Sequence, residues 1–138
     1  MGLDARKMSK SYNNTINLSD SSDLVTKKIA GMFTDPKSIK LADKGHSDSC
    51  NVFSYYSTFV PGMRRDVHDW CSNAKVGCTE CKKVLAEKIL EMLRPIHLKR
   101  EELIKDKEMV KKVLTCGRDK ALALSSTTIK EVKRAMRF

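Results

Sequence analysis

Between residues 81 and 138 the chain contains one proline, Pro95, and one glycine, Gly117, and few other residues that resist a helix. Apolar side chains recur there at spacings of three and four: Leu85, Ile89, Leu93 and Ile96, then Met109, Val110, Val113 and Leu114. A helix turns once in about 3.6 residues, so this spacing gathers them into one stripe, whereas a half-buried strand needs alternation. At 138 residues the chain has room for one domain's worth of core, and the pattern predicts an all-α fold, a helical bundle. Pro95 is expected to kink or break the first long helix, because it lacks an N–H and its ring crowds the preceding turn. Gly117 is placed to end the next. Ala121 to Leu124 with Ile129, Val132 and Met136 make one more apolar face. Thr128-Ile129-Lys130-Glu131 has the form of a capping box, and a continuous helix through it fits equally well.

Ahead of this stretch the helices are shorter. Ser21 or Ser22 can cap a helix running to about Thr34, with Leu24, Val25, Ile29, Met32 and Phe33 on one face and Asp35-Pro36 ending it. Residues 36–49 are polar and read as a connection. A short helix is expected from about Asn51 to Phe59, stopped by Pro61-Gly62, and another from about Arg64 to Ala74 before Gly77. Residues 1–22 show no sustained period and read as a long loop, so the organisation is a loop segment, 1–22, followed by a helical body, 23–138.

The net charge is +10, and residues 75–138 carry 17 Lys and Arg against 9 Asp and Glu, which places eight of the ten excess charges there. A localised basic surface is the footprint of a polyanion partner, here nucleic acid, with a solvated lysine-rich face as the plain alternative. No apolar run approaches the roughly 20 residues that cross a bilayer, and no signal-peptide core follows Met1, so a cytoplasmic location with no membrane contact is expected.

Two short patterns carry chemistry. In Lys7-Met8-Ser9-Lys10-Ser11, compact ammonium charges on flexible stems flank hydroxyl donors, a combination suited to triphosphate oxygens. The second is Cys50, Cys71, Cys78 and Cys81, four thiols within 32 residues. In a reducing compartment such clustering favours metal ligation over disulfides. The two-residue gap between Cys78 and Cys81 lets both sulfurs reach one centre, and Lys82, Lys83 and a helix start at Cys81 are expected to favour its thiolate. Four cysteines suit an iron–sulfur cluster or zinc, although structural zinc sites usually have two short pairs and this chain has one. Cys116 reads as a core residue, and His46, His68 and His97 as surface or packing residues.

Gly2-Leu3-Asp4, the lysine–serine run and Tyr12-Asn13-Asn14-Thr15-Ile16 together resemble the ATP-binding loop of class I aminoacyl-tRNA synthetases in its tryptophanyl form. Leu85-Ala86-Glu87, Leu93-Arg94-Pro95-Ile96 with Arg100, Gly117 with Lys120-Ala121, and Glu131-Val132 are similar to that family's C-terminal helical domain, so the resemblance spans nearly the whole chain. It implies the C-terminal part of a bacterial enzyme that joins tryptophan to tRNA(Trp) at the expense of ATP. Residues 1–22 would then be the edge of a Rossmann-type catalytic domain and 23–138 an anticodon-binding domain. Lys7, Met8, Ser9, Lys10 and Ser11 would hold ATP, with Lys10 and Lys7 catalytic because cations that meet charge on departing pyrophosphate speed adenylate formation.

A subset of the bacterial enzymes carries a similar four-cysteine motif that holds a [4Fe-4S] cluster. Its last two gaps match those here, and the first is a residue or two shorter in this chain. The resemblance thus implies a cluster on Cys50, Cys71, Cys78 and Cys81, with zinc as the runner-up. The family's His-containing signature has no counterpart, since the only Gly-His, Gly45-His46, follows the lysine–serine run. This segment alone is therefore not expected to charge tRNA, and the parent enzyme is expected to be a homodimer. Lys75, Lys82, Lys83, Arg118 and Lys120 are candidates for the anticodon phosphates, with Trp70 against core, cluster or a base. A stand-alone basic RNA-binding module with a structural metal site is the competing reading.

Overall fold

The computed structural model describes residues 1–38 and 43–138, and so part of the predicted connection, 39–42, lies outside the described residues. Helices α1 (Ser22–Ala30), α2 (Asn51–Phe59), α3 (Arg64–Ser72), α4 (Cys78–Lys105) and α5 (Lys107–Ala135) follow one another, with 3-10 turns at Lys10–Tyr12, Ser47–Ser49 and Pro61–Met63. No strand occurs among the described residues, in agreement with the all-α expectation. None of their helices is long and apolar enough to cross a membrane. Two compact units divide the chain, Met1–His97 and Leu98–Phe138.

In the first unit, Ser21 caps α1 by accepting from the Leu24 amide at 3.4 Å, while Asp23 in the first turn and Lys27 and Lys28 in the last complement the helix dipole. The helix stops at Ala30, earlier than the predicted Thr34. Its continuation is claimed by a different strand of chain: the Phe33 amide donates to the Leu3 carbonyl at 3.0 Å. Val25, Ile29 and Met32 are buried as expected, but Leu24 and Phe33 are exposed, so the apolar face is narrower than the sequence suggests.

Helix α2 supplies the centre of the core. Val52, Phe53, Tyr55 and Tyr56 are buried with Val25 and Ile29 of α1, Val67 of α3, and Leu85, Ala86, Ile89 and Leu93 of α4. Each such side chain contributes about 1.5–3 kcal/mol by leaving water. Leu3 joins the same cluster and so fastens the N-terminal segment to the helices. At the end of α3 the chain turns through Ala74, whose φ of 49° lies in the left-handed region, and the Lys75 amide closes the turn on the Trp70 carbonyl at 2.9 Å.

Two predicted breaks are absent. Helix α4 runs on through Pro95, and α5 runs on through Gly117. Pro95 lies on an exposed turn, where water can satisfy the carbonyl its missing N–H leaves free, and an interior glycine costs only about 1 kcal/mol against alanine. Thr128 lies inside α5, where its hydroxyl donates back to the Leu124 carbonyl at 3.2 Å, so it caps nothing. Asp106 is the residue that caps α5, accepting from the Met109 amide at 2.9 Å. Cys116 is exposed on α5 and is not a core residue, because the second unit consists of the end of α4 and a single long helix whose apolar stripe remains exposed.

Candidate functional site

The lysine–serine run stands on an exposed arch held from beneath by one buried side chain. Asn14, 3% exposed, takes the Ser9 amide on its Oδ1 at 2.8 Å and gives its Nδ2 hydrogens to Asp4 Oδ1 at 2.8 Å and the Lys7 carbonyl at 3.1 Å. Its carbonyl accepts the Leu3 amide at 2.8 Å. Gly2 lies so close that a Cβ there would overlap the Asn14 carboxamide. Lys7, Met8, Lys10 and Ser11 point outward, Ser9 is half-buried, and the two hydroxyls of Ser9 and Ser11 share a hydrogen bond of 2.7 Å. Neither Lys7 nor Lys10 forms an ion pair among the described residues, so both ammonium groups are presented to solvent.

Below the arch, Asp4 pairs with Arg6 at 2.6 Å, and the Arg6 guanidinium stacks 4.5 Å over the Tyr12 ring. Hydrogen bonds from Asn14, and then from the Arg6 backbone and side chain, outweigh desolvation and hold the Asp4 carboxyl at about 2. Because this folded value lies below the unfolded one, the stabilisation is present above about pH 4 and disappears as the pH falls toward 2. The Asn14 side-chain amide resonances are therefore expected to hold their shifts to about pH 3 and to move as the folded carboxyl takes up its proton near pH 2. Unchanged resonances at pH 2 would show that Asp4 does not hold the brace.

The four cysteines come from three helices and meet around one cavity of about 280 Å³, which Val52, Phe53 and Trp70 also line. Cys50 is the N-cap of α2, Cys71 sits in the last turn of α3, and Cys78 and Cys81 lie in the first turn of α4. Gly45 donates its amide to the Cys71 carbonyl at 3.0 Å, and a Cβ at that glycine would overlap Cys71 Sγ, so glycine there makes room for the sulfur. Among the described residues no three His, Cys, Asp or Glu side chains close around a point that could hold a metal ion. The quartet is thus gathered but open.

The predicted activation of Cys81 as a thiolate is not found. Burial, then the neighbouring Cys50, Cys78 and Cys71, push its thiol up to about 12, against a lowering hydrogen bond from Tyr56, and burial likewise raises Cys71. Lys82 and Lys83 turn away from the sulfur: Lys82 Nζ donates to the Ala30 carbonyl at the end of α1 at 2.9 Å, and Lys83 pairs with Glu80 at 3.0 Å. Of the other basic candidates, Lys75 pairs with Asp69 at 2.6 Å, Arg118 pairs with Asp119 at 2.7 Å, and Lys120 is exposed on α5. Such exposed pairs are worth about 0–1 kcal/mol and open readily to a phosphate. Trp70 packs against the core beside the cavity. His46 donates its amide to Asp35 at 2.7 Å and places Nδ1 at 2.9 Å from the same carboxylate, while His68 lies edge-on to Phe53, in keeping with packing roles.

Sequence reasoning gave Asn14 no role beyond its place in the family-like run, and missed Asn51, Tyr55 and Tyr56. The Asn51 Nδ2 donates to the Gly2 carbonyl at 2.7 Å, the Tyr55 hydroxyl to the Met1 carbonyl at 3.1 Å, and the Tyr56 hydroxyl to the Cys81 carbonyl at 2.8 Å. The available signal was an Asn directly after Cys50 at the start of a helix rich in aromatic residues.

Comparison with known proteins places these features. The profile of the class I tRNA synthetases (W and Y) matches residues 1–94. A tryptophan–tRNA ligase of Aquifex aeolicus is 37% identical over 98% of this chain and 35% of its own length, and one of Thermotoga maritima is 36% identical over 98% and 42%. The chain therefore spans between about a third and two-fifths of the length of these relatives. Among solved structures, the tryptophanyl-tRNA synthetase of Campylobacter jejuni superposes with a TM-score of 0.89 at 25% identity, covering 99% of this chain and 44% of that one.

Proposed function

The chain belongs to the class I tRNA synthetases (W and Y), and on that premise we propose that it supplies the ATP-binding loop and the tRNA-binding helices of a tryptophan–tRNA ligase. The observation that carries this reading is the arch at Lys7–Ser11, whose two solvent-facing ammonium groups are held in place by the buried Asn14. In adenylate formation the amino-acid carboxylate attacks the α-phosphorus of ATP and pyrophosphate departs with growing negative charge. Lys10 and Lys7 meet that charge in the transition state, and Met8, Ser9 and Ser11 shape the loop that closes over the triphosphate. The tryptophanyl group of the adenylate is then transferred to a hydroxyl of tRNA(Trp), with AMP as the leaving group.

The helices after Ser22 read the anticodon end of that tRNA. Single-stranded loops are recognised through splayed bases while Lys and Arg hold the phosphates, and the C-terminal excess of positive charge suits that task. The working enzyme on this reading is a cytoplasmic homodimer.

For the four cysteines, a [4Fe-4S] cluster fits the donor set better than zinc. Structural zinc sites usually draw on two short cysteine pairs and this chain has one, and the four cysteines line one cavity of about 280 Å³, which suits a group that takes its thiolates at separated corners. Cys50, Cys71, Cys78 and Cys81 would hold it. When bound, the cluster supplies four covalent iron–thiolate links that clasp α2, α3 and α4 together. Val52, Phe53 and Trp70 line the cavity and would shield the group from water.

Binding of the iron-loaded chain to tRNA carrying the tryptophan anticodon tests the tRNA role. Fluorescence anisotropy at fixed salt is expected to give an affinity about tenfold above that for the same tRNA with an altered anticodon, a difference of about 1.4 kcal/mol. Equal affinities would exclude anticodon recognition by these helices.

A further inference from the structure

We infer that α2 mechanically couples the four-cysteine cavity to the lysine–serine arch, so that metal loading at the cysteines sets how firmly the phosphate loop is held. The inference rests on the metal reading above and goes beyond it.

Helix α2 touches both sites through adjoining residues. Asn51 and Tyr55 are four apart, hence on one helical face, and that face donates to the Gly2 and Met1 carbonyls. Cys50, Val52 and Phe53 line the cysteine cavity, and the Tyr56 hydroxyl holds the Cys81 carbonyl. All of Asn51, Tyr55 and Tyr56 are at most 4% exposed, so α2 cannot shift at one end without displacing what it holds at the other.

From Gly2 the connection continues to the arch. Gly2 is packed against Asn14, and Asn14 in turn fixes the Ser9 amide and the Lys7 carbonyl. A contiguous run of buried contacts thus leads from Cys50 and Cys81 through α2, Gly2 and Asn14 to the loop.

Coupling also needs an element with two positions. Cys50 supplies it: as the N-cap of α2 its side chain makes no capping hydrogen bond, and a bond from that sulfur to iron in the cavity would fix the start of the helix. The contact to the loop has room to respond: Asn51 Oδ1 is buried without a hydrogen-bond partner, so the present position of α2 does not satisfy both ends of that side chain.

Hydrogen exchange on the whole chain tests this, comparing protein reconstituted anaerobically with ferrous iron and sulfide against protein stripped with chelator, with iron and sulfide measured in each. Exchange of the Leu3 and Ser9 amides is expected to slow at least about tenfold on loading, while amides in the middle of α1 change little. Asn51→Ala is expected to keep full iron and its absorbance but to lose the difference at Leu3 and Ser9; Tyr55→Phe, a milder change, is expected to reduce it. Full iron loading with unchanged Leu3 and Ser9 exchange would overturn the coupling and leave the metal reading standing. Failure to take up iron would overturn both, and an equal change throughout the chain would overturn the coupling in favour of general stabilisation.

Discussion

Serine in place of Cys81 is expected to abolish iron binding and to remove the dependence of stability on metal. The sulfur sits where α4 starts, packs against the core beside Trp70 and faces the same cavity as Cys50, Cys71 and Cys78. Two effects add. A hydroxyl brought into that partly apolar cavity without a partner costs about 1–3 kcal/mol, and on the proposed metal reading the free energy that binding would add to folding is lost as well. Thermal melts separate the two contributions. Wild type is expected to melt lower after chelation, whereas Cys81→Ser melts at one temperature with or without iron, below stripped wild type. Cys116→Ser, at an exposed site on α5, is expected to keep full iron and to stay within about 0.5 kcal/mol of wild type. A Cys81→Ser protein that binds iron stoichiometrically would remove this residue from the ligand set.

The second large effect is expected at Lys28. Its ammonium, in a side chain 11% exposed, lies 2.6 Å from Asp20 Oδ2, in a side chain 7% exposed, and donates to the Thr15 carbonyl at 2.8 Å. These bonds tie the segment after the phosphate loop to α1. Burial alone would raise the Asp20 carboxyl, but the hydrogen bonds from Lys28 and Asn17 and the Lys28 charge outweigh it and leave it below the ordinary value. Lys28→Ala leaves that carboxylate buried and unpaired, at a cost of about 3 kcal/mol. This is a large part of the 5–15 kcal/mol that typically holds a domain together.

The pH dependence follows from the direction of the shift. A depressed carboxylate stabilises the fold above its unfolded value, near 4, and that contribution is lost as the pH falls through the folded value. Urea unfolding is therefore expected to separate Lys28→Ala from wild type by about 3 kcal/mol at pH 7 and by much less near pH 3. A gap that stays constant between those pH values would assign the loss to packing of the lysine stem and not to its charge.

The helices were legible because their signals are local. Spacings of three and four, Ser21 as a cap and Pro61 are all read within one or two turns, and α1 to α3 form close to where they predict. The misjudged breaks at Pro95 and Gly117 are penalties of a few kcal/mol or less, and only the surroundings decide whether they are met. Leu24 and Cys116 were misjudged for a related reason: periodicity says that an apolar face exists, not what covers it.

The sites divide in the same way. Lys7–Ser11, by residue type, and Cys50, Cys71, Cys78 and Cys81, by spacing, stood out in the sequence as candidates for phosphate and metal chemistry. The brace beneath the loop and the contacts of α2 did not, because the sequence shows no role for Asn14 or Asn51 until their partners are known. Asn51 and Gly2 stand 49 residues apart, and no local period reports such a contact.

By itself the sequence determined a helical fold, a membership in a synthetase family and a short set of reactive side chains, since backbone preference and chemical type are properties of residues and their near neighbours. Tertiary structure alone decided that the four thiols share one cavity, that partial burial and neighbouring sulfurs push the Cys81 thiol up, and that α2 touches both that cavity and the carbonyls of Met1 and Gly2. Those outcomes depend on burial and on distances between remote segments, which only the packed core establishes.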